Sequence, residues 1–327
     1  MISGKRILVT GASGSIGSAF AAALVPGNEV WGLARFTDPG AKSELEARGV
    51  RPIVADLGAV GPDDLPDLPE VDHVLHFAAD IFAEPDFERA FRNNAEAAGL
   101  LMSRYRGVES FLHCSSTVVY EAHPEPRCED HPLGDYTRAV YPTYSVSKIA
   151  GEAVVRTCAR LFGIPTTIAR LNVPYSDTMG FPRVHLMNIL KNEPVGVYPN
   201  FPDVFAPIHV DDMVRTLPAL LGAADTPPVT VNWGGDEPVG ITEWSGYLAQ
   251  LVGRKVTFFT TEMAIKGMCP DVGKLRELVG GPISSIGWRD GLRSMVSTVV
   301  RGRHPGATGH PLRRPPSPPA YSNVVNI

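Results

Sequence analysis

The chain has 327 residues, including 32 glycines and 30 prolines. That is too little of either for a collagenous or low-complexity sequence, and 44% hydrophobic residues allow a sizeable core. A formal net charge of −5 is too mild, and of the wrong sign, for a general nucleic-acid binder. The four cysteines, Cys114, Cys128, Cys158 and Cys269, form no CxxC pair and no zinc spacing, so they read as reduced thiols and no metal is expected. No apolar run approaches the roughly 18 residues of a membrane span. Lys5-Arg6 leads straight into a strand-like run without a signal-peptide core, so the expected compartment is the cytoplasm, with no membrane partner.

Residues 7–10 form a short β-rich run, followed by glycine punctuation and then by Ile16, Phe20, Ala23 and Leu24 at helical spacing. The alternation continues, with strands expected at 29–34, 52–55, 73–77, 110–114 and 166–171. The longest helices are expected at 87–105 and 144–162, the second closed by Gly163 with Pro165 beyond it. Such alternation predicts an α/β fold, a doubly wound parallel sheet of the Rossmann type with a smaller C-terminal substrate lobe. The expected division is a dinucleotide-binding domain at 1–171, a lobe partly interwoven with the sheet at 172–301, and a Pro/Arg-rich tail at 302–327. In the lobe, helices are expected near 212–221, 242–252 and 289–300. The tail carries three arginines and no acid, and has too little apolar content for a core.

Between the first strand and first helix stands Thr-Gly-Ala-Ser-Gly-Ser-Ile-Gly, residues 10–17. Glycines there allow a tight turn and close approach of a pyrophosphate, whose charge meets amides at the helix N-terminus. Gly11, Ser13, Gly14, Ser15, Ile16 and Gly17 are therefore expected to hold a dinucleotide. The second strand ends Leu33-Ala34-Arg35 with no acid, which favours NADP(H), while Asp38 keeps NAD(H) open.

Tyr144 and Lys148, four positions apart on an expected helix, share one face, so the ammonium can act on the phenol. The third member of a proton-transfer site should be a hydroxyl at the end of the fifth strand. Ser116 is the choice from Cys114-Ser115-Ser116-Thr117, with Ser115 and Thr117 read as strand-end capping.

With these residues in place the chain resembles the extended short-chain dehydrogenase/reductase family, which includes nucleotide-sugar epimerases and dehydratases. The resemblance covers most of residues 5–300. It rests on the glycine turn, on Asp56-Leu57, His76-Phe77-Ala78-Ala79, Ser-Ser-x-x-Val-Tyr at 115–120 and Tyr144 to Lys148 with Glu152. Arg170-Leu171-Asn172-Val173, Pro207-Ile208-His209-Val210-Asp211-Asp212 and Asn232-Trp233-Gly234-Gly235 complete it. It implies that Asp56 and Leu57 hold the adenine, that Phe77, Ala78 and Ala79 line the cofactor cleft, and that Asn94 sits in the helix beneath the active site. The family usually follows that asparagine with Gly-Thr; here Ala97-Ala98 stand instead. It also implies a homodimer through the two long helices.

Two departures narrow the reaction. Dehydratases of the family place Asp-Glu after the catalytic hydroxyl residue, where this chain has Thr117-Val118, which can neither remove nor supply a proton. The epimerases usually carry an arginine where Phe205 stands, and a phenyl ring cannot neutralise a diphosphate. Phe82, Phe181 and Phe205 are then expected, with Ser116 and Asn172, to contact a small, rather apolar substrate, although the rings could equally be lobe core. Arg183 or Lys191 would remain to meet a phosphate. The first reading is an NAD(P)-dependent oxidoreductase moving hydride between nicotinamide and a carbonyl or hydroxyl carbon, with Tyr144 transferring the proton, Ser116 orienting the oxygen and Lys148 holding Tyr144 and the nicotinamide ribose. The alternatives are an NAD-dependent nucleotide-sugar epimerase and a non-catalytic dinucleotide sensor.

Overall fold

The computed structural model of the chain describes residues 2–81, 84–301 and 324–325. The first half alternates as the sequence predicts: β1 (Arg6–Thr10), α1 (Ser15–Leu24), β2 (Glu29–Ala34), α2 (Pro39–Ala47), β3 (Arg51–Val54), β4 (His73–His76), α3 (Phe87–Phe91), α4 (Ala97–Arg104), β5 (Ser110–Ser116), α5 (Tyr144–Phe162) and β6 (Thr166–Leu171). There follow β7 (Pro174–Ser176), β8 (Met179–Gly180), α6 (Phe181–Lys191), β9 (Val195–Val197), β10 (Val204–Phe205), β11 (Ile208–His209), α7 (Val210–Gly222), β12 (Val229–Trp233) and β13 (Val239–Gly240). Last come α8 (Ile241–Leu251), β14 (Phe258–Thr260), α9 (Gly273–Val279), α10 (Trp288–Arg301) and β15 (Val324–Val325).

Seven parallel strands form the main sheet in the order β12-β6-β5-β4-β1-β2-β3. Its apolar strands are covered on both faces, as a parallel sheet requires. One face packs Phe20, Ala21 and Leu24 of α1 and Met213, Leu217 and Leu220 of α7. The other packs Ala97, Ala98, Leu101 and Met102 of α4 and Val155 and Ala159 of α5. The strand order reverses between β1 and β4, where open α/β sheets bind ligands beyond the carboxyl ends of their strands. The seventh strand, β12, comes from beyond residue 171 and pairs with β6, so the chain returns to the sheet after starting the lobe.

The lobe has its own core, in which Trp244 and Leu248 of α8 meet Leu186 and Ile189 of α6 and Leu292 and Met295 of α10. Helix α6 is not legible in sequence because Phe181-Pro182 opens it: proline is allowed at that end but reads as a loop signal.

The helix expected at 87–105 is interrupted. Between α3 and α4 the residues Arg92–Glu96 make a π turn, and Asn94 lies buried in it. The wider turn turns the Asn94 carboxamide inward to bonds outside its own helix, a use that a plain apolar periodicity does not signal. Helix α5 runs as predicted and ends on Gly163 in the left-handed conformation. No helix of the described residues is long and apolar enough to cross a membrane. The expectation of an extended tail falls largely outside the described residues; within it, β15 pairs antiparallel with β14.

Candidate active site

The turn after β1 fits a dinucleotide. Gly11 has φ +68, and a side chain on it would press to 2.8 Å from the Ala78 amide nitrogen, beyond β4. A side chain on Gly17 would collide with the Gly11 carbonyl, so the turn can close only with glycine at both places. Ser13, Gly14 and Ser15 are exposed at the start of α1, and the helix has no side-chain cap, leaving its first amides open to an anion. Ile16, half-buried, packs against the core on the α1 face.

Around the turn, the Thr10 hydroxyl accepts from the Ala78 amide at 3.2 Å and pairs with His76 Nδ1 at 2.8 Å, tying β1 to β4 at the crevice. Phe77 offers its backbone to the crevice, while its ring packs on Phe20 with centroids 4.6 Å apart. Ala78 is half-buried beside it and Ala79 is exposed. Asp56 closes a turn by accepting from Gly58 N at 3.1 Å, and Leu57 is buried under it. Arg35 is exposed at the end of β2, and Asp38 caps α2 by accepting from Gly40 N at 2.9 Å.

At the end of β5 the expected triad comes together. The Ser116 hydroxyl stands close enough to the Tyr144 phenol to favour its ionised form, yet burial dominates and pushes the phenol up, so Tyr144 is held protonated. Tyr141 packs edge-on against it, with ring centroids 6.4 Å apart. Lys148 is buried on the same helix face, and burial pushes its ammonium down. Its Nζ donates to the Cys114 carbonyl at 2.7 Å rather than to the phenol, which corrects the expectation that it holds Tyr144 directly. An ammonium has three donors, so the backbone bond fixes the lysine and leaves two for a ligand or the phenol.

Asn94 lies beneath this site. Its Oδ1 accepts from Asp80 N at 2.6 Å, and its Nδ2 donates to Asp80 O and to Ser147 Oγ, both at 2.9 Å. It thereby locks the segment after β4 to the residue preceding Lys148. Ser115 and Thr117, read as capping residues, are committed elsewhere. Ser115 Oγ donates to Glu152 at 2.7 Å, and Thr117 Oγ1 accepts from Asn172 at 2.8 Å.

The expected substrate contacts fare differently. Asn172 spends its whole carboxamide on structure: Nδ2 donates to Thr117 and to Met268 O, and Oδ1 accepts from Ala206 N. Phe205 is 3% exposed, its ring 5.7 Å from Trp244 and 6.0 Å from Phe181, centroid to centroid. Asn172 and Phe205 are thus framework of the lobe, and half-buried Phe181 joins the same aromatic cluster, because side chains satisfied or enclosed by protein have nothing left to offer a ligand. Phe82 lies outside the described residues. Arg183 is half-buried and, among the described residues, donates only to Asp177 O at 3.4 Å, and Lys191 is exposed at the end of α6.

Sequence reasoning missed the roles of Thr10 and Asp80. It also missed the bidentate pair of Arg170 with Glu152, at 2.8 and 2.7 Å, which sits behind Ser115. An acid and a base placed in otherwise apolar strand and helix faces were the available signal for that pair.

Residues 7–234 match the family described as NAD dependent epimerase/dehydratase family. The dTDP-4-dehydro-6-deoxy-D-allose reductase of a Streptomyces species is 30% identical over 279 residues, 77% of this chain and 82% of the relative. The uncharacterized UDP-glucose epimerase YtcB of Bacillus subtilis (strain 168) is 25% identical over 315 residues, covering 89% and 97%. Among solved structures, MoeE5 in complex with UDP-glucuronic acid and NAD is 26% identical with a TM-score of 0.75, covering 91% of this chain and 99% of its own. The family match spans the sheet from β1 to β12, and the phosphate turn and the tyrosine helix fall at the same crevice within it. The chain is accordingly an enzyme of the extended short-chain dehydrogenase/reductase type, a member of the NAD-dependent epimerase/dehydratase family.

Proposed function

We propose that the chain is an NAD(P)-dependent oxidoreductase acting at a carbonyl or hydroxyl carbon of a small molecule. The observation that carries this is a Tyr144 phenol kept protonated by burial, with the Ser116 hydroxyl against it and no acid or base at Thr117-Val118 for a dehydration. The dinucleotide, when bound, supplies or accepts the hydride. Tyr144 gives its proton to the substrate oxygen, Ser116 fixes that oxygen by a hydrogen bond, and Lys148, anchored on the Cys114 carbonyl, steadies the charge left on the phenol. A Streptomyces relative named as a reductase supports this reading.

Arg35, exposed at the end of β2 with no acid beside it in the strand, supports NADP(H) as the preferred cofactor. Asp38 already serves as the cap of α2, which weakens its claim on a ribose. The apolar substrate expected from Phe205 loses its basis, since that ring belongs to the lobe core. A homodimer would use the outer faces of α4 and α5, where Leu161 is 71% exposed.

The second reading, a nucleotide-sugar epimerase with the same Ser116, Tyr144 and Lys148, is favoured by the relative named as a UDP-glucose epimerase. Absorbance at 340 nm separates the two. A reductase consumes reduced dinucleotide in proportion to ketone added, whereas an epimerase interconverts sugars with no net change. Interconversion of UDP-glucose and UDP-galactose without such a change would replace the first reading by the second.

A further inference from the structure

The lobe position that a phosphate-binding cation would take on β10 is filled by the buried ring of Phe205, yet a cation stands close by on another segment. Gly267 donates its amide to Pro202 O at 3.0 Å, and a side chain on Gly267 would press to 2.5 Å from Val204 N, so residues 266–268 run tightly along the start of β10. The next residue, Met268, gives its carbonyl to Asn172 Nδ2 at 2.9 Å, and the same amide group reaches Thr117, the neighbour of Ser116. This segment therefore borders the carboxyl ends of β5 and β6. Lys266 lies two residues before Met268, at most about 7 Å away along the chain.

The Lys266 ammonium sits 4.7 Å from the centroid of the Tyr198 ring and 5.7 Å from that of Phe201. All three side chains are half-buried. Among the described residues no carboxylate lies within ion-pair distance of Lys266, in contrast to the thirteen lysine or arginine ion pairs formed elsewhere, from Lys5–Glu109 in the sheet domain to Arg289–Glu243 in the lobe. Two ring faces hold the ammonium in one place without neutralising it, and its three donors are not engaged by protein acceptors.

We propose that Lys266 is the anion-binding cation of the substrate lobe, taking an oxyanion of the substrate, either a phosphate or a carboxylate, while Tyr198 and Phe201 position it. The assignment of that oxyanion to the substrate rests on the oxidoreductase reading above. The site differs from an arginine on β10 in being a point charge on an aromatic platform, without the planar fork that binds a diphosphate bidentately.

The test is a calorimetric titration of the full chain, saturated with oxidised dinucleotide so that the glycine turn is occupied. The probes are inorganic pyrophosphate, malonate and, as the neutral control, glucose. Wild type should bind one of the two oxyanions, which of them telling phosphate from carboxylate, with affinity that falls as salt is raised. Lys266→Met should weaken that binding at least about tenfold, and Lys266→Arg, which keeps the charge, should stay within about threefold. Affinity for the reduced dinucleotide, read separately by its nicotinamide fluorescence, should be unchanged in both variants. Failure of wild type to bind either oxyanion, or equal binding by Lys266→Met, would overturn the proposal while unchanged dinucleotide affinity left the oxidoreductase reading standing. Absence of dinucleotide binding in wild type would sink that reading instead.

Discussion

One oxygen distinguishes Tyr144 from phenylalanine, and the proposed chemistry depends on it. Because the half-buried ring keeps its contact with Tyr141 at the start of α5, Tyr144→Phe should keep the fold and the dinucleotide affinity. Its kcat should fall by about 10² to 10⁴, the usual worth of positioned acid-base catalysis. Steady-state kinetics with a ketone substrate check this, and a variant retaining more than about a tenth of wild-type kcat would remove Tyr144 from the reaction. Arg35 is argued on charge alone. Arg35→Asp should weaken NADP(H) far more than NAD(H), since a carboxylate repels a 2′-phosphate but accepts from a 2′-hydroxyl. Fluorescence titration with both cofactors decides it, and equal losses would make Arg35 a surface residue without a part in cofactor choice.

Between elements, the arrangement behind the site hangs on one buried ion pair. Arg170 of β6 and Glu152 of α5 are each 3% exposed at the side chain and joined by two hydrogen bonds, with Ser115 of β5 donating to the same carboxylate. Burial alone would raise the Glu152 carboxyl, but the hydrogen bonds and charge of Arg170 hold it below its usual value. Arg170 also reaches Glu129 O at 2.8 Å and lies 4.7 Å over the Tyr120 ring, so one side chain fastens a helix, a strand and a loop. Arg170→Met leaves the buried carboxylate with only the Ser115 hydroxyl and the more distant Arg156, 3.6 Å away, and should cost about 3 kcal/mol of stability. Chemical denaturation measures this. Adding Glu152→Leu should recover part of the loss, because the uncompensated charge is then gone.

At the scale of the molecule, three enclosed imidazoles set the response to acid. Burial lowers His76 and His185 to about 3 each, and lowers His113 well below its usual value, helped by the nearby Lys148 charge. His76 and His113 stack on each other with centroids 5.5 Å apart, and His185 accepts from Trp244 at 2.8 Å in the lobe. Each is depressed in the folded state, so the unfolded chain binds the proton more tightly once the pH drops below about 6.5. Their contribution to stability is complete above that pH and is lost progressively toward pH 3. Melting temperature should accordingly fall on acidification from pH 7 to 4, with uptake of up to three protons on unfolding from these groups. In a His113→Phe variant that keeps its fold the slope should be shallower, and an unchanged slope would show that His113 does not titrate in this window.

What the sequence alone determined was local: the glycine turn, the strands that follow a short β-rich run, the α5 helix with its left-handed Gly163 end, and the shared face of Tyr144 and Lys148. Each depends on neighbours within a turn or a strand, where periodicity and backbone freedom act directly. Where a side chain is spent, by contrast, was decided by tertiary structure. Nothing local says that Asn172 is used up by Thr117, Met268 and Ala206, that Phe205 closes on Trp244, or that Asn94 opens a π turn to reach Asp80 and Ser147. Those partners are up to 96 residues away. The same holds for Lys266, an ordinary lysine in sequence, whose place between two rings at the border of the site exists only once residues 198–204 and 266–268 have packed together. Hydrogen-bond capacity and ring contact area are finite, and the folded packing alone determines which groups use them up and which are left for a ligand.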